Sequence, residues 1–197
     1  MFREVPVLPV VVPLAAVVLA AGWWHLHRRG LLTLPRAAVA LAASVYAAGI
    51  VANTIFPIYL DKPGSGHRWG ELVSLTPLVG YDVLDAVINV GVFVPIGLLV
   101  PLVAPGWSRT RALAVAALVS LSIEATQYVT ANLLGGGHVA DVNDLLFNVV
   151  GAALGLLLLS ALTRSPSGAR LLGRFRWRPA AGASSPGADS SVPTRAS

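Results

Sequence analysis

The chain has 197 residues, of which 55% are hydrophobic, only 12% are charged and none is a cysteine. A soluble domain carries about 25% charged residues, so a water-exposed globule is excluded. The lack of thiols also excludes disulfides, thiolate nucleophiles and cysteine metal sites. The net charge of +5 comes from thirteen arginines and one lysine; they sit in connections and the tail, as membrane topology requires, and no nucleic-acid partner is expected.

The apolar residues gather into runs of about 20, enough to cross a hydrocarbon core about 30 Å thick. Five spans are predicted, at about Val5 to Trp24, Arg36 to Leu60, Asp82 to Val103, Arg111 to Asn132 and Val142 to Thr163. The expected fold is therefore all-α: a polytopic integral membrane bundle of about five helices. The first span carries Pro6, Pro9 and Pro13, so its outer end is expected to be irregular, although prolines near a helix start are tolerated. Its weak n-region, with Arg3 offset by Glu4, argues against a cleaved signal peptide.

The positive charges set the expected orientation. Arg28, Arg29 and Arg36 lie between the first two spans, Arg109 and Arg111 between the third and fourth, and six more arginines after the fifth. Only Arg3, Lys62 and Arg68 fall on the other side. The positive-inside bias then puts the N-terminus outside and the C-terminus inside. The acids agree, since all but Asp189 lie in expected outer loops or outer halves of spans. Three parts follow. Residues 1–72 hold two helices and an outer loop, residues 73–163 a three-helix core, and residues 164–197 a basic, largely disordered cytoplasmic tail. Within the tail, RLLGRFRWR (Arg170 to Arg178) suits the inner membrane surface. The arginine-dominated, Ala-, Val- and Gly-rich composition suggests a bacterial genome, and hence a bacterial cytoplasmic membrane.

Two stretches repeat one spacing. DVLDAVIN begins the third span and DVNDLLFN the fifth, each reading D-x-x-D-x-x-x-N. Positions i, i+3 and i+7 of a helix share a face. Asp82, Asp85 and Asn89 therefore form one polar stripe, and Asp141, Asp144 and Asn148 another, in a parallel repeat. Asp82 and Asp141 read equally well as helix caps. Asn89 and Asn148 lie deeper, where an unpaired amide is expensive. In the fourth span SLSIEATQY places Ser120, Glu124 and Gln127 on one face, with Glu124 roughly 10 Å below the span's outer end at about 1.5 Å per residue. An ionised carboxylate cannot face lipid there. Two readings stay open: a structural network in which Glu124 bonds Asn89 and Asn148, or a polar pocket open to the outer leaflet.

His138 lies in the loop before the fifth span, close to Asp141 and Asp144. Imidazole and carboxylate suit divalent ions, but one histidine in a loop reads more simply as solvated. No metal and no cofactor are expected. The loop holding His67 and Trp69 is long enough to fold over the polar face as a lid.

NVGVFVPIG (Asn89 to Gly97), SIEATQ (Ser122 to Gln127) and DVNDLLFNVVGAALG (Asp141 to Gly155) together resemble the VanZ-like family. The resemblance covers about Val73 to Leu159 and carries over Asn89, Phe93, Pro95, Gly97, Ser120, Glu124, Gln127, Asp141, Asp144, Asn148, Gly151 and Gly155. One departure is that the family usually has an arginine shortly before the first Asp of the last motif, where His138 is nearest here. The resemblance implies a bacterial cell-envelope membrane protein. It links the chain to a family whose founding member is associated with resistance to the glycopeptide teicoplanin.

The expected ligand-binding set is Asp85, Asn89, Glu124, Gln127, His138, Asp141, Asp144 and Asn148. The expected partners are membrane lipids and a lipid headgroup, lipid-linked wall precursor or glycopeptide-type ligand. An enzyme acting on a lipid headgroup, with Glu124 as general acid or base, and a ligand-free scaffold are the alternatives. Gly151 and Gly155 form a small-xxx-small pattern for close helix approach. Pro95, eased by Gly91 and Gly97, is expected to bend the third span.

Overall fold

The computed structural model describes residues 3–60, 73–133 and 140–178. Five long apolar helices cross it: α1 (Leu8–Arg28), α2 (Leu34–Ile55), α3 (Val83–Val103), α4 (Arg109–Leu133) and α5 (Val142–Leu162), followed by a short α6 (Pro166–Phe175). All five are long and apolar enough to span a bilayer. Their flanks are covered with bare apolar side chains, among them Val17, Leu41, Val45, Leu118 and Leu157, each more than half exposed. Such a surface is untenable in water and natural in lipid. The chain is a multi-pass membrane protein.

The helix ends follow local chemistry. Thr33 precedes α2 with Pro35 in its first turn, where the missing N–H is no loss. α2 stops at Ile55, five residues before the expected Leu60. Phe56 precedes a proline and is extended, with φ −99° and ψ 150°, as the pyrrolidine ring dictates for its neighbour. The chain beyond Phe56 meets the irregular N-terminal segment instead: Val5 N–H donates to Ile58 O (2.9 Å) and Leu60 N–H to Arg3 O (3.0 Å). α1 runs past Trp24 to Arg28, with Arg29 as its C-cap, and Gly30 follows with a φ of +62° that suits glycine.

α3 and α5 form the heart of the bundle, and glycines set their separation. A β-carbon on Gly97 would strike the Ala152 carbonyl, one on Gly151 the Val90 carbonyl, and one on Gly155 the Val94 carbonyl. The two backbones are in direct contact, the geometry small residues permit between membrane helices. Gly97, read from its position as easing a bend at Pro95, thus serves close packing of the two helices. Phe93, Ile96, Ala116 and Ala152 form a core cluster on this seam with α4. α1 packs chiefly on α2 at the edge.

The all-α architecture carries one small addition. β1 (Val73–Ser74) pairs in parallel with β2 (Ala140–Asp141), Val73 opposite Ala140 and Ser74 opposite Asp141. This ladder ties the segments leading into α3 and α5 together at one end of the bundle.

The opposite end is closed by a buried arginine. Arg36, counted in the sequence only as a topology signal, is 9% exposed. Its guanidinium donates to the carbonyls of Leu31 (3.0 Å), Arg176 (2.9 Å) and Arg178 (2.6 Å). Trp177 N–H donates to Leu102 O at 2.8 Å, and its indole stacks on His25. Leu172 and Phe175 pack on Val39, Leu102 and Leu159. The described part of the tail is therefore helix and strap docked on the bundle; the rest of the tail, where disorder is also expected, lies outside the described residues.

Candidate functional site

The end of the bundle holding the N-termini of α3 and α5 gathers most of the polar side chains. Asp82 caps α3, its Oδ1 accepting from Leu84 N–H (2.6 Å) and Asp85 N–H (3.3 Å). Asp141 caps α5, accepting from Asn143 N–H at 2.8 Å and from Asn143 Nδ2 at 3.0 Å. The capping reading of both aspartates is correct.

The deeper residues pair across helices, in an arrangement unlike the expected Glu124–Asn89–Asn148 network. Asn89 Nδ2 donates to Asp144 Oδ1 at 2.6 Å, joining α3 to α5. Asn148 Nδ2 donates to Ser120 Oγ at 2.9 Å, joining α5 to α4. Glu124 bonds neither asparagine. Its Oε2 accepts from Asp141 N–H at 2.9 Å, because β2 carries that amide over the α4 face. Its other oxygen has no protein hydrogen bond among the described residues.

These groups surround a cavity of about 340 Å³. Its polar walls are Asp85, Asn89, Glu124, Gln127, Asp144 and Asn148, with Asn53 and Thr54 of α2 opposite; Ile88, Val92, Phe93 and Ile123 are apolar. Six of the eight expected site residues thus meet around one space. Asp141 is not part of its wall, since its carboxylate is turned to the cap. His138, like the rest of the loop that holds it and the proposed lid around His67 and Trp69, lies outside the described residues.

Two buried acceptors at this cavity, Asn148 Oδ1 and Gln127 Oε1, have no hydrogen-bond partner among the described residues. Asn148 is 3% exposed and Glu124 8%. An unmet buried acceptor costs about 1–3 kcal/mol. Turning the Asn148 amide round would only exchange which of its two polar atoms is left over.

Two contributions escape the sequence reading. Asn53 and Thr54 were submerged in the second apolar span; their signal was a lone polar pair near its end. Asn143, fully buried, accepts from Leu78 N–H at 2.6 Å and donates to Thr76 O at 3.5 Å. It pins the loop entering α3 to the start of α5. Among the described residues no three potential metal ligands cluster.

The sequence matches the VanZ/LLP1 family over residues 43–163, more than half of the chain. The chain belongs to the VanZ/LLP1 family. The matched region begins about 30 residues before the stretch in which the motifs are legible, and so takes in the part of α2 that walls the cavity. No match was found among curated proteins or among solved structures. Within the matched region, the motif residues read from the sequence fall on the structure with a clear division. Their glycines make the α3–α5 seam. Their Asn89, Glu124, Gln127, Asp144 and Asn148 line the cavity.

Proposed function

We propose that this VanZ/LLP1 protein binds a cell-envelope ligand in the polar cavity, and that the ligand presents a lipid headgroup, as a membrane lipid or a lipid-linked wall precursor does. With the arginine-rich connections facing the cytoplasm, the cavity lies in the outer half of a bacterial cytoplasmic membrane, within reach of such ligands. A glycopeptide-type ligand would reach it from the same side, and a link to glycopeptide resistance of the teicoplanin kind would follow from interception there. The observation that carries the reading is Asn148: almost wholly buried, bonded to Ser120 through one amide atom and leaving the other unmet at the cavity wall. A residue serving only to lock helices would be expected to satisfy both.

The ligand-free scaffold has support of its own, because Asn89–Asp144 and Asn148–Ser120 each fasten two helices. Native mass spectrometry of the purified protein with its co-purified lipids, wild type beside Glu124→Gln, separates the two readings. A binder retains a specific lipid or precursor that Glu124→Gln loses while staying folded. Identical spectra with no selective lipid would leave only the scaffold.

A further inference from the structure

The polar cavity does not end among polar residues. Ile50, Thr54 and Ile123 form its rim on one side and also line a second space of about 360 Å³ between α2 and α4. That space shares Ile50, Val51, Val115 and Val119 with a third, of about 470 Å³, which continues past Tyr46 to Trp107. The third space is walled by apolar and aromatic side chains, and the second by apolar side chains together with Thr54, Ser122 and Thr126. Together they form one open-sided cleft along the α2–α4 face. From Thr54 to Ala43 the cleft follows α2 for 11 residues, about 16 Å at 1.5 Å per residue. The far end of the cleft meets Val103, Ala104 and Trp107 at the end of α3, so it is at least as deep as one leaflet of a hydrocarbon core about 30 Å thick.

Among the described residues the charged groups at the polar end are all acidic. Glu124 and Asp85 offer carboxylate oxygens, and Asn148 and Gln127 present amide atoms without partners among the described residues. No lysine, arginine or histidine among the described residues lines the cavity. Acceptors in a low-dielectric setting call for donors, and a headgroup ending in bare anionic oxygens would meet like charge.

We propose that cavity and cleft are a single site for one lipid. One hydrocarbon chain lies along the α2–α4 cleft, and a headgroup bearing N–H or O–H donors, an ammonium or a sugar, sits among the acceptors. This rests on the headgroup-binding reading above and specifies its ligand class.

The test uses the full chain, equilibrated with vesicles of equal parts dioleoyl-phosphatidylethanolamine, dioleoyl-phosphatidylcholine and dioleoyl-diglucosylglycerol, then extracted and weighed by native mass spectrometry. Choline lipid carries the same charges as ethanolamine lipid but no N–H. The ethanolamine lipid, the glucolipid or both should be enriched over choline lipid by about fivefold or more, the worth of roughly one well-made hydrogen bond. Which of the two is enriched identifies the donor as ammonium or hydroxyl. Val51→Trp and Val119→Trp fill the cleft from opposite walls without touching the polar cavity, and either one that folds should lose the enrichment. Preference for the choline lipid would overturn the donor assignment while leaving a headgroup site standing. Enrichment that survives a folded cleft-filling variant would overturn the chain assignment. Equal retention of all three lipids, by wild type and variants alike, would remove the headgroup site as well.

Discussion

The two D-x-x-D-x-x-x-N segments are spelled alike and built differently. At the start of α3, Asp82 and Asp85 are exposed, and Asn89 is half-buried with one partner on α5. At the start of α5 the same letters are drawn into the protein: Asp141 is knitted to β2, its amide serves Glu124, and Asn148 is buried between α4 and the cavity. The spacing fixes which side chains share a face. The neighbours then decide whether that face is a cap in open surroundings or a wall of the site. Since α5 packs against both α3 and α4, its copy became the interior one.

The largest expected difference lies between two of the glycines that follow these segments, Gly155 and Gly91. Gly155→Leu would drive a side chain into the Val94 carbonyl, and backbone cannot yield as a flexible side chain does. We expect a loss of at least about 3 kcal/mol, or no folded protein. Gly91→Ala meets nothing within 4 Å and should be neutral or stabilise by up to about 1 kcal/mol, since alanine is the better helix former. Reversible unfolding in mixed micelles measures both; equal losses would mean that α3 and α5 are not in backbone contact.

A single letter separates the first turns, DVLD against DVND, and it predicts the next largest effect. Leu84 is 65% exposed, whereas its counterpart Asn143 is 0% exposed. Asn143→Ala strands the Leu78 N–H that its Oδ1 accepts from and opens a buried gap. The expected cost is about 2 kcal/mol, with earlier proteolysis near residues 73–80 as the loop detaches. Leu84→Ala removes a side chain that faces lipid and should change stability by less than about 0.5 kcal/mol. Comparable effects would show that the loop before α3 is not held by α5.

How much of this the sequence discloses depends on the range of the interaction. The five spans were legible because lipid demands long apolar runs whatever the neighbours, and the caps because their partners lie two or three residues away. The convergence of Asn89, Glu124 and Asn148 followed from helical periodicity, but their pairing did not. Which asparagine meets which acid depends on the rotation of each helix, and that is set by glycines such as Gly97, which sequence position alone reads as easing a bend at Pro95. Asn143 was invisible because in a first helical turn it reads as a solvated residue, its partners being 65 and 67 residues away. The structural role of Arg36 was hidden for the same reason. Its carbonyl partners at Arg176 and Arg178 are 140 and 142 residues distant, while the local signal, a cation at a span boundary, was enough to explain its presence.

The smallest and most discriminating test of the comparison is at the two caps. Asp82→Ala removes a carboxylate from two exposed amides, which water can serve in its place. About 0.5–1 kcal/mol is the expected cost, at the low end for an N-cap. Asp141→Ala should cost more, about 2 kcal/mol, the top of the same range. It takes a partner from the buried Asn143 side chain as well as from its backbone. The Asp141 amide, however, still donates to Glu124 whatever its side chain, so Asp141→Ala should keep the ligand that Glu124→Gln loses. Equal destabilisation by the two cap variants would show that α5's copy of the motif is no more interior than α3's. Loss of ligand with Asp141→Ala in a folded protein would mean that Glu124 is held in place by the cap rather than by the strand that carries it.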